Sequence, residues 1–324
     1  MLENRLTQQL ARITASLLIG LGFWLTAHSS TSGAQQVRIG VTLGLTGKYS
    51  KLGQMQQRAY VLWRDHVNQR GGVLGRVVEL AIHDDESSAQ KAQELYRRMI
   101  REGRVDMVFG PYSSAITLAV APVVEAAGYP MLAAGASSDK IWQQGYRNVF
   151  GVYTPASRYT VGMLNLALLN NLDTIAIAYA SDGFSASAAG GAKKWASKLG
   201  LKTVVFQKFR KGQRNLSELA LKIRKARPAL VMIAGHFDES VDMRRALKQV
   251  GWYPRAYCAT VGPVLQKYEE TLGADANLTF ASSLWEPTVG FPKAKEFTKA
   301  FRARYALTPT YHAATAYALS LIHI

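Results

Sequence analysis

Two serine pairs carry the chemistry that this sequence most plainly offers. Ser113-Ser114 follows the apolar run Val105 to Phe109 and the break Gly110-Pro111. Ser137-Ser138 follows a second run, Tyr129 to Ala134, and the small residues Gly135 and Ala136. Each pair sits where an N-cap belongs, ahead of a helix, at the carboxyl end of a predicted buried strand. Unpaired helix N–H groups and serine hydroxyls at two successive strand ends make a site for an anion. A serine at an N-cap is ordinary helix chemistry taken singly. Two pairs at corresponding places of one doubly wound sheet point to a ligand cleft instead.

Other reactive residues offer less. Cys258 is the one cysteine, so no internal disulfide or cysteine-based metal site can form, and a buried small hydrophobe is expected there. The six histidines are scattered without a paired spacing, and no cofactor or metal is expected. Asp84-Asp85-Glu86 ends a strand and leads into a helix cap, where acids suit the helix dipole. The first turn, Gly40-x-x-x-Gly44-x-x-Gly47, is not a dinucleotide fingerprint, and no Walker A loop or nucleophile elbow occurs. Ser113 or Ser114 with His236 could form a nucleophile and base, but no third partner is evident.

The elements that must position these residues alternate. Val37 to Leu43 reads as a strand, a long helix follows to Arg70, and Val77 to Ile82 is the next strand. Ser87 or Ser88 opens another helix, and Val149 to Val152 resumes the strands. From Ser157 the pattern restarts: helix 157–171, strand Thr174 to Ala180, helix Phe184 to Leu199, strand Thr203 to Gln207, then a helix through Leu216 and Ile223. Strand Ala229 to Ala234 precedes a helix from Ser240 to Val250. Tyr257 to Val261 and Leu278 to Ser283 complete the set. This predicts an α/β fold of two doubly wound parallel-sheet lobes, with several crossings between them.

Composition bounds the setting. The chain has 324 residues, 48% of them hydrophobic, enough for two lobes with proper cores. The formal net charge is +17, yet Lys and Arg are dispersed over many predicted helices. The densest run, Lys208 to Arg214, carries a single aromatic and reads as surface charge, so no nucleic-acid partner is expected. Arg5 and Arg12 precede an apolar stretch from Ile13 to Ala27 and a Ser32-x-Ala34 pattern, as in a cleavable signal peptide over residues 1–34. That stretch is shorter than the roughly 20 residues of a spanning helix.

Several segments together resemble the type I periplasmic solute-binding proteins of ABC importers, in the leucine/isoleucine/valine-binding branch. They are IGVTLGLTGKYSKLG, NQRGGVLGRVVEL with DDES, GPYSS, AAGASSDKI, ASDGFSAS and AGHFDESVDMRRALKQVG, and the likeness spans Val37 to about Tyr317. The resemblance implies hinge-linked lobes, with an N-terminal lobe at 35–155, a C-terminal lobe at 156–285 and a return to the first lobe at 286–324. It implies a monomer in the periplasm that closes over a small-molecule solute and docks on an inner-membrane ABC permease. By position, the carboxylate-binding serine falls on Ser114 beside Ser113, and the loop next to it falls on Gly135, Ala136 and Ser137. The aromatic lid of the second lobe falls on Phe184. The residue after its glycine falls on His236, and the next strand end on Thr260 or Val261.

The sequence departs from that family in three places. The cysteine pair of some members is absent. Ala156 stands where amino-acid binders supply a carboxylate to the ligand's ammonium, so the expected solute is a carboxylate or amide-like molecule rather than a branched-chain amino acid; Asp182 and Asp238 are the alternative ammonium partners. The sequence also stops at Ile324 within an expected helix, as a truncated chain would. A ligand-sensing domain of a receptor and a periplasmic serine hydrolase are the other readings of the same residues.

Overall fold

Short apolar runs, bounded by turn residues, form two five-stranded sheets in which every pairing is parallel. The structure is a computed structural model and describes residues 36–319. The signal-peptide segment expected over 1–34 lies outside them. The first sheet contains β1 (Val37–Leu43), β2 (Val78–Asp84), β3 (Met107–Phe109), β4 (Met131–Ala133) and β5 (Val149–Gly151), in the order β2-β1-β3-β4-β5. The second contains β6 (Thr174–Ala180), β7 (Lys202–Phe209), β8 (Leu230–Ala234), β9 (Ala256–Ala259) and β10 (Thr279–Ala281), in the order β10-β9-β8-β6-β7. All five residues of β8 are buried, as a strand covered by helices on both faces requires. In β6 the side chains divide by parity: Ile175 and Ile177 join the core shared with the first sheet, while Ala176 and Ala178 join a separate core with Val231, Ile233 and Leu247.

Helices follow the strands. They are α1 (Ser50–Gln69), α2 (Ala89–Arg101), α3 (Ser114–Ala126), the one-turn α4 (Asp139–Trp142), α5 (Val161–Leu169), α6 (Gly183–Lys198), α7 (Ser217–Ala226), α8 (Phe237–Gln249) and α9 (Gln266–Leu272). Two of these differ from the sequence-based expectation. The helix expected over 157–171 is split into a 3-10 turn at Ala156–Arg158 and α5, because Ala156 N donates to Ser137 O (2.7 Å) and holds the crossover against the first lobe. Helix α8 begins at Phe237, a turn earlier than Ser240, because the Glu239 carboxylate reaches back to accept from His236 N (2.9 Å).

The chain passes between the lobes after β5 and after β10, and the Ser282 hydroxyl donates to Tyr159 O where these two passages meet. The last two helices, α10 (Ala294–Tyr305) and α11 (Tyr311–Ala318), lie against α1 of the first lobe. The Tyr305 hydroxyl donates to Arg58 O (2.9 Å), Arg304 pairs with Asp65 (2.5 Å), and Tyr317 meets His66 (2.7 Å). On the second-lobe side, α6 lies flat on the first passage. A Cβ added at Gly191 would fall on the Ser157 backbone, so only a glycine admits this approach.

Candidate ligand-binding site

In each sheet the strand order reverses beside its first strand, at β1/β3 and at β6/β8. Loops leaving the carboxyl ends at such reversal points splay apart and leave a crevice. Here the two crevices face each other. Between them lies a narrow cavity lined by Tyr112, Ser113, Ser114, Gly135, Ser137, Tyr153, Tyr159, Phe184, His236, Val261 and Tyr311.

The first-lobe wall is organised by Ser114. Its hydroxyl oxygen accepts from the amides of Ser137 (3.1 Å) and Ser138 (3.0 Å), joining the start of α3 to the loop after β4. This corrects the expectation of unpaired amides for Ser137 and Ser138, whose N–H groups are already satisfied. The Ser114 hydroxyl, with its oxygen thus engaged, has its own hydrogen left to donate. Ser113 caps α3 by accepting from Ile116 N (3.3 Å), and it does so at φ 95°, a backbone region that costs a non-glycine residue of order 1–3 kcal/mol. Gly135 is required by crowding, since a Cβ there would lie 2.9 Å from Gln56 Nε2 and 3.1 Å from Tyr112 Cα. The short α4 is not side-chain capped, and Ser138 instead reaches across to the second lobe, donating to Gly183 O (3.1 Å) beside Ser187 Oγ (3.1 Å).

The second-lobe wall consists of Tyr159, Phe184, His236 and Val261. Phe184 packs edge-on against both His236 (5.3 Å) and Tyr159 (5.6 Å). His236 also meets Tyr49 of the first lobe at 5.4 Å, so aromatic rings from the two sheets touch. Behind His236 lies a charged cluster. Lys211 Nζ is 2.6 Å from His236 Nδ1, 3.2 Å from Asp182 and 3.2 Å from Glu239. Burial and then the Lys211 charge push the imidazole down to about 4, so His236 is neutral at ordinary pH. Burial pulls the Lys211 ammonium down as well, but Asp182 and Glu239 outweigh it and hold the amine above its usual range. Asp182 also caps α6, accepting from the Ser185 amide (3.0 Å) and hydroxyl (2.8 Å). Burial disfavours its charge, yet His236, Lys211 and Ser185 together keep the carboxyl below the ordinary range.

Two expected site residues lie elsewhere. The Thr260 hydroxyl accepts from Gly235 N (3.0 Å) and donates to Gly235 O (2.7 Å), stapling the ends of β8 and β9, and Val261 takes its place on the cavity. Ala136 is buried but does not line the cavity. Asp238, an alternative ammonium partner, stands in an outer groove, exposed and 3.4 Å from Arg214. Sequence reasoning missed Tyr112, Tyr153, Tyr159 and Tyr311. Apart from the position of Tyr112 between Pro111 and Ser113, nothing in the sequence separates these from core tyrosines. His312 stacks on Tyr311 (3.9 Å) behind this wall, and burial pushes it down to about 3.

Two facing parallel sheets with a cavity between their strand carboxyl ends define a two-lobed binding protein. A profile of the family described as "Periplasmic binding protein" matches residues 36–322. The chain is similar to the Leu/Ile/Val-binding protein homolog 8 of Brucella suis, 28% identical over 309 residues, covering 90% of this chain and 76% of that relative. It is 26% identical over 309 residues to the leucine-, isoleucine-, valine-, threonine- and alanine-binding protein of Pseudomonas aeruginosa, covering 92% and 78% of the two chains. In fold it is similar to a crystallised leucine-binding protein LivK from Thermotoga maritima, with a TM-score of 0.80 at 22% identity over 88% of this chain and 81% of that one. The chain belongs to the periplasmic binding protein family, type I, in its leucine/isoleucine/valine-binding branch. No helix among the described residues is long and apolar enough to cross a membrane.

Proposed function

We propose that this protein is the extracytoplasmic substrate-binding component of an ABC importer, carrying a small carboxylate or amide-like solute whose far end bears no positive charge. The lobes, 35–155 with 286–324 and 156–285, close over the solute, and the loaded monomer delivers it to an inner-membrane permease from the periplasm. The observation that carries the reading is the contrast within the cavity. Serine hydroxyls line one wall, while Tyr159, Phe184, neutral His236 and Val261 line the other. An ammonium enclosed there would need an anionic partner, and burying it unpaired costs several kcal/mol. Asp182 and Glu239 are already committed to Lys211. Ala156 turns its amide to Ser137 and offers no charge.

A hydrolase reading is disfavoured by the same geometry. A catalytic base needs its imidazole oriented by a carboxylate and basic enough to take a proton. His236 is oriented by an ammonium instead, and its affinity for protons is low. A thermal-shift screen of the full-length mature protein against carboxylates, amides and amino acids tests the proposal. A ligand at 100-fold its dissociation constant raises stability by about 2.7 kcal/mol. Binding of small carboxylates without turnover is the expected result. Tight leucine, isoleucine or valine binding, or steady turnover of an ester panel, would overturn it.

A further inference from the structure

Lys211 belongs to a run that reads as surface charge in the sequence, yet its side chain is only 24% exposed. Its ammonium has three protons and no lone pair. Three acceptors surround it: His236 Nδ1, Asp182 Oδ2 and Glu239 Oε1. All its donors are thereby used, and Nδ1 must receive a proton rather than carry one. The hydrogen of the neutral ring therefore sits on Nε2. That nitrogen makes no hydrogen bond to another described residue, and the ring forms part of the cavity wall.

We propose that Lys211 acts through His236 as a positioning residue, fixing the ring so that the second-lobe wall presents one neutral N–H donor. The site consequently takes carboxylates that carry a hydrogen-bond acceptor, a keto, ether or amide oxygen, and rejects those carrying an ammonium. This rests on the carboxylate reading above and adds to it the group at the solute's other end. The other second-lobe side chains of the cavity, Tyr159, Phe184 and Val261, supply no anionic acceptor for an ammonium. The Lys211 charge is offset by Asp182 and Glu239, so the choice rests on the direction of the hydrogen bond: an ammonium meets a donor at Nε2, whereas an oxygen acceptor gains one.

Three probes of one carbon skeleton isolate this choice: 4-methyl-2-oxopentanoate, 4-methylpentanoate and leucine. Calorimetry on the full chain is expected to rank them in that order, with the oxo acid at least about tenfold tighter than leucine, the factor that one modest hydrogen bond produces. Nitrogen-15 NMR of the ligand-free protein is expected to show His236 protonated on Nε2. Lys211→Met should populate the other tautomer and shrink the oxo-acid preference several-fold, whereas Lys211→Arg, which still donates to Nδ1, should retain it. A ligand-free ring protonated on Nδ1 overturns the inference even if no Lys211 variant folds. Leucine binding as tightly as the oxo acid also overturns it. Binding of none of the three probes, with the Nε2–H tautomer observed, overturns the carboxylate reading and the ligand class with it.

Discussion

The first-lobe wall of the cleft holds its polar atoms through neutral groups, with Ser114 accepting from two amides and Ser113 capping a helix. The second-lobe wall rests on three charges, Lys211, Asp182 and Glu239, clustered behind one aromatic ring and mostly out of solvent. Neutral hydrogen bonds can rearrange one at a time at modest cost. A buried ionic triad loses several kcal/mol when a single member is removed, because the others are left unpaired. The first wall is therefore suited to grip a feature common to many solutes, and the second to fix one arrangement that discriminates among them.

The largest effect that separates the walls is expected at Ser114. Ser114→Ala removes the donor and the acceptor of two amides, and a hydrogen bond to a charged group is worth roughly 1.5–3 kcal/mol. Calorimetry should show binding weakened about ten- to a hundredfold for every carboxylate ligand alike; a loss confined to one ligand would break the comparison. Next comes acid response, where the lobes differ in sign. Burial pushes Asp85, behind the first-lobe loops, up to about 6, against the pull of Thr42 and Ser87. Unfolded, it titrates near 3.9. Between these values the folded state keeps a proton that the unfolded state has lost, so this group's contribution to stability falls as pH rises from about 4 to 6. His236 runs the other way: at about 4 folded against roughly 6.5 unfolded, its contribution rises with pH over that window. Urea unfolding from pH 4 to 7 should show Asp85→Asn steepening the acid loss, by at most about 2.7 kcal/mol for two pKa units, and His236→Asn flattening it. Equal slopes in both variants would remove the distinction.

A smaller effect is expected where the walls meet. Ser138→Ala deletes the hydroxyl that spans to Gly183 and Ser187, worth about 1 kcal/mol, and should weaken every ligand about fivefold by favouring the open form. Small-angle scattering of the ligand-free variant should show a larger radius of gyration. The smallest effect belongs to Lys51, whose ammonium lies 4.0 Å from the Phe237 ring across the groove. Lys51→Met should raise dissociation rates by two- to threefold, in keeping with an exposed cation–π contact of about 0.5–1 kcal/mol.

The fold was largely legible because buried parallel strands leave short apolar runs with turn residues at their ends. Val37–Leu43 and Thr174–Ala180 emerge with the bounds that periodicity assigns. Helix caps at Ser87 or Ser88 and at the pair Ser113-Ser114 were legible for the same reason, and Ser88 and Ser113 take them with partners three residues on. The cavity was legible only where it is made by such local features. Tyr112 and His312 meet across 200 positions, and a tyrosine that lines a cavity has the same neighbours in sequence as one that fills a core. Lys211 failed for a related reason. Its neighbours Arg210 and Gln213 suit an exposed turn, and its three partners come from the cap of α6, from α8 and from the loop between β8 and α8.

The contact of Gly191 with the Ser157 backbone has a mechanical consequence. Two stretches of main chain touch there with no side chain between them, so α6 clamps the passage where it enters the second lobe. Even one methyl at position 191 has to drive helix and passage apart. The second lobe is thereby stiffened at its own entrance by an atom that is missing rather than by one that is present.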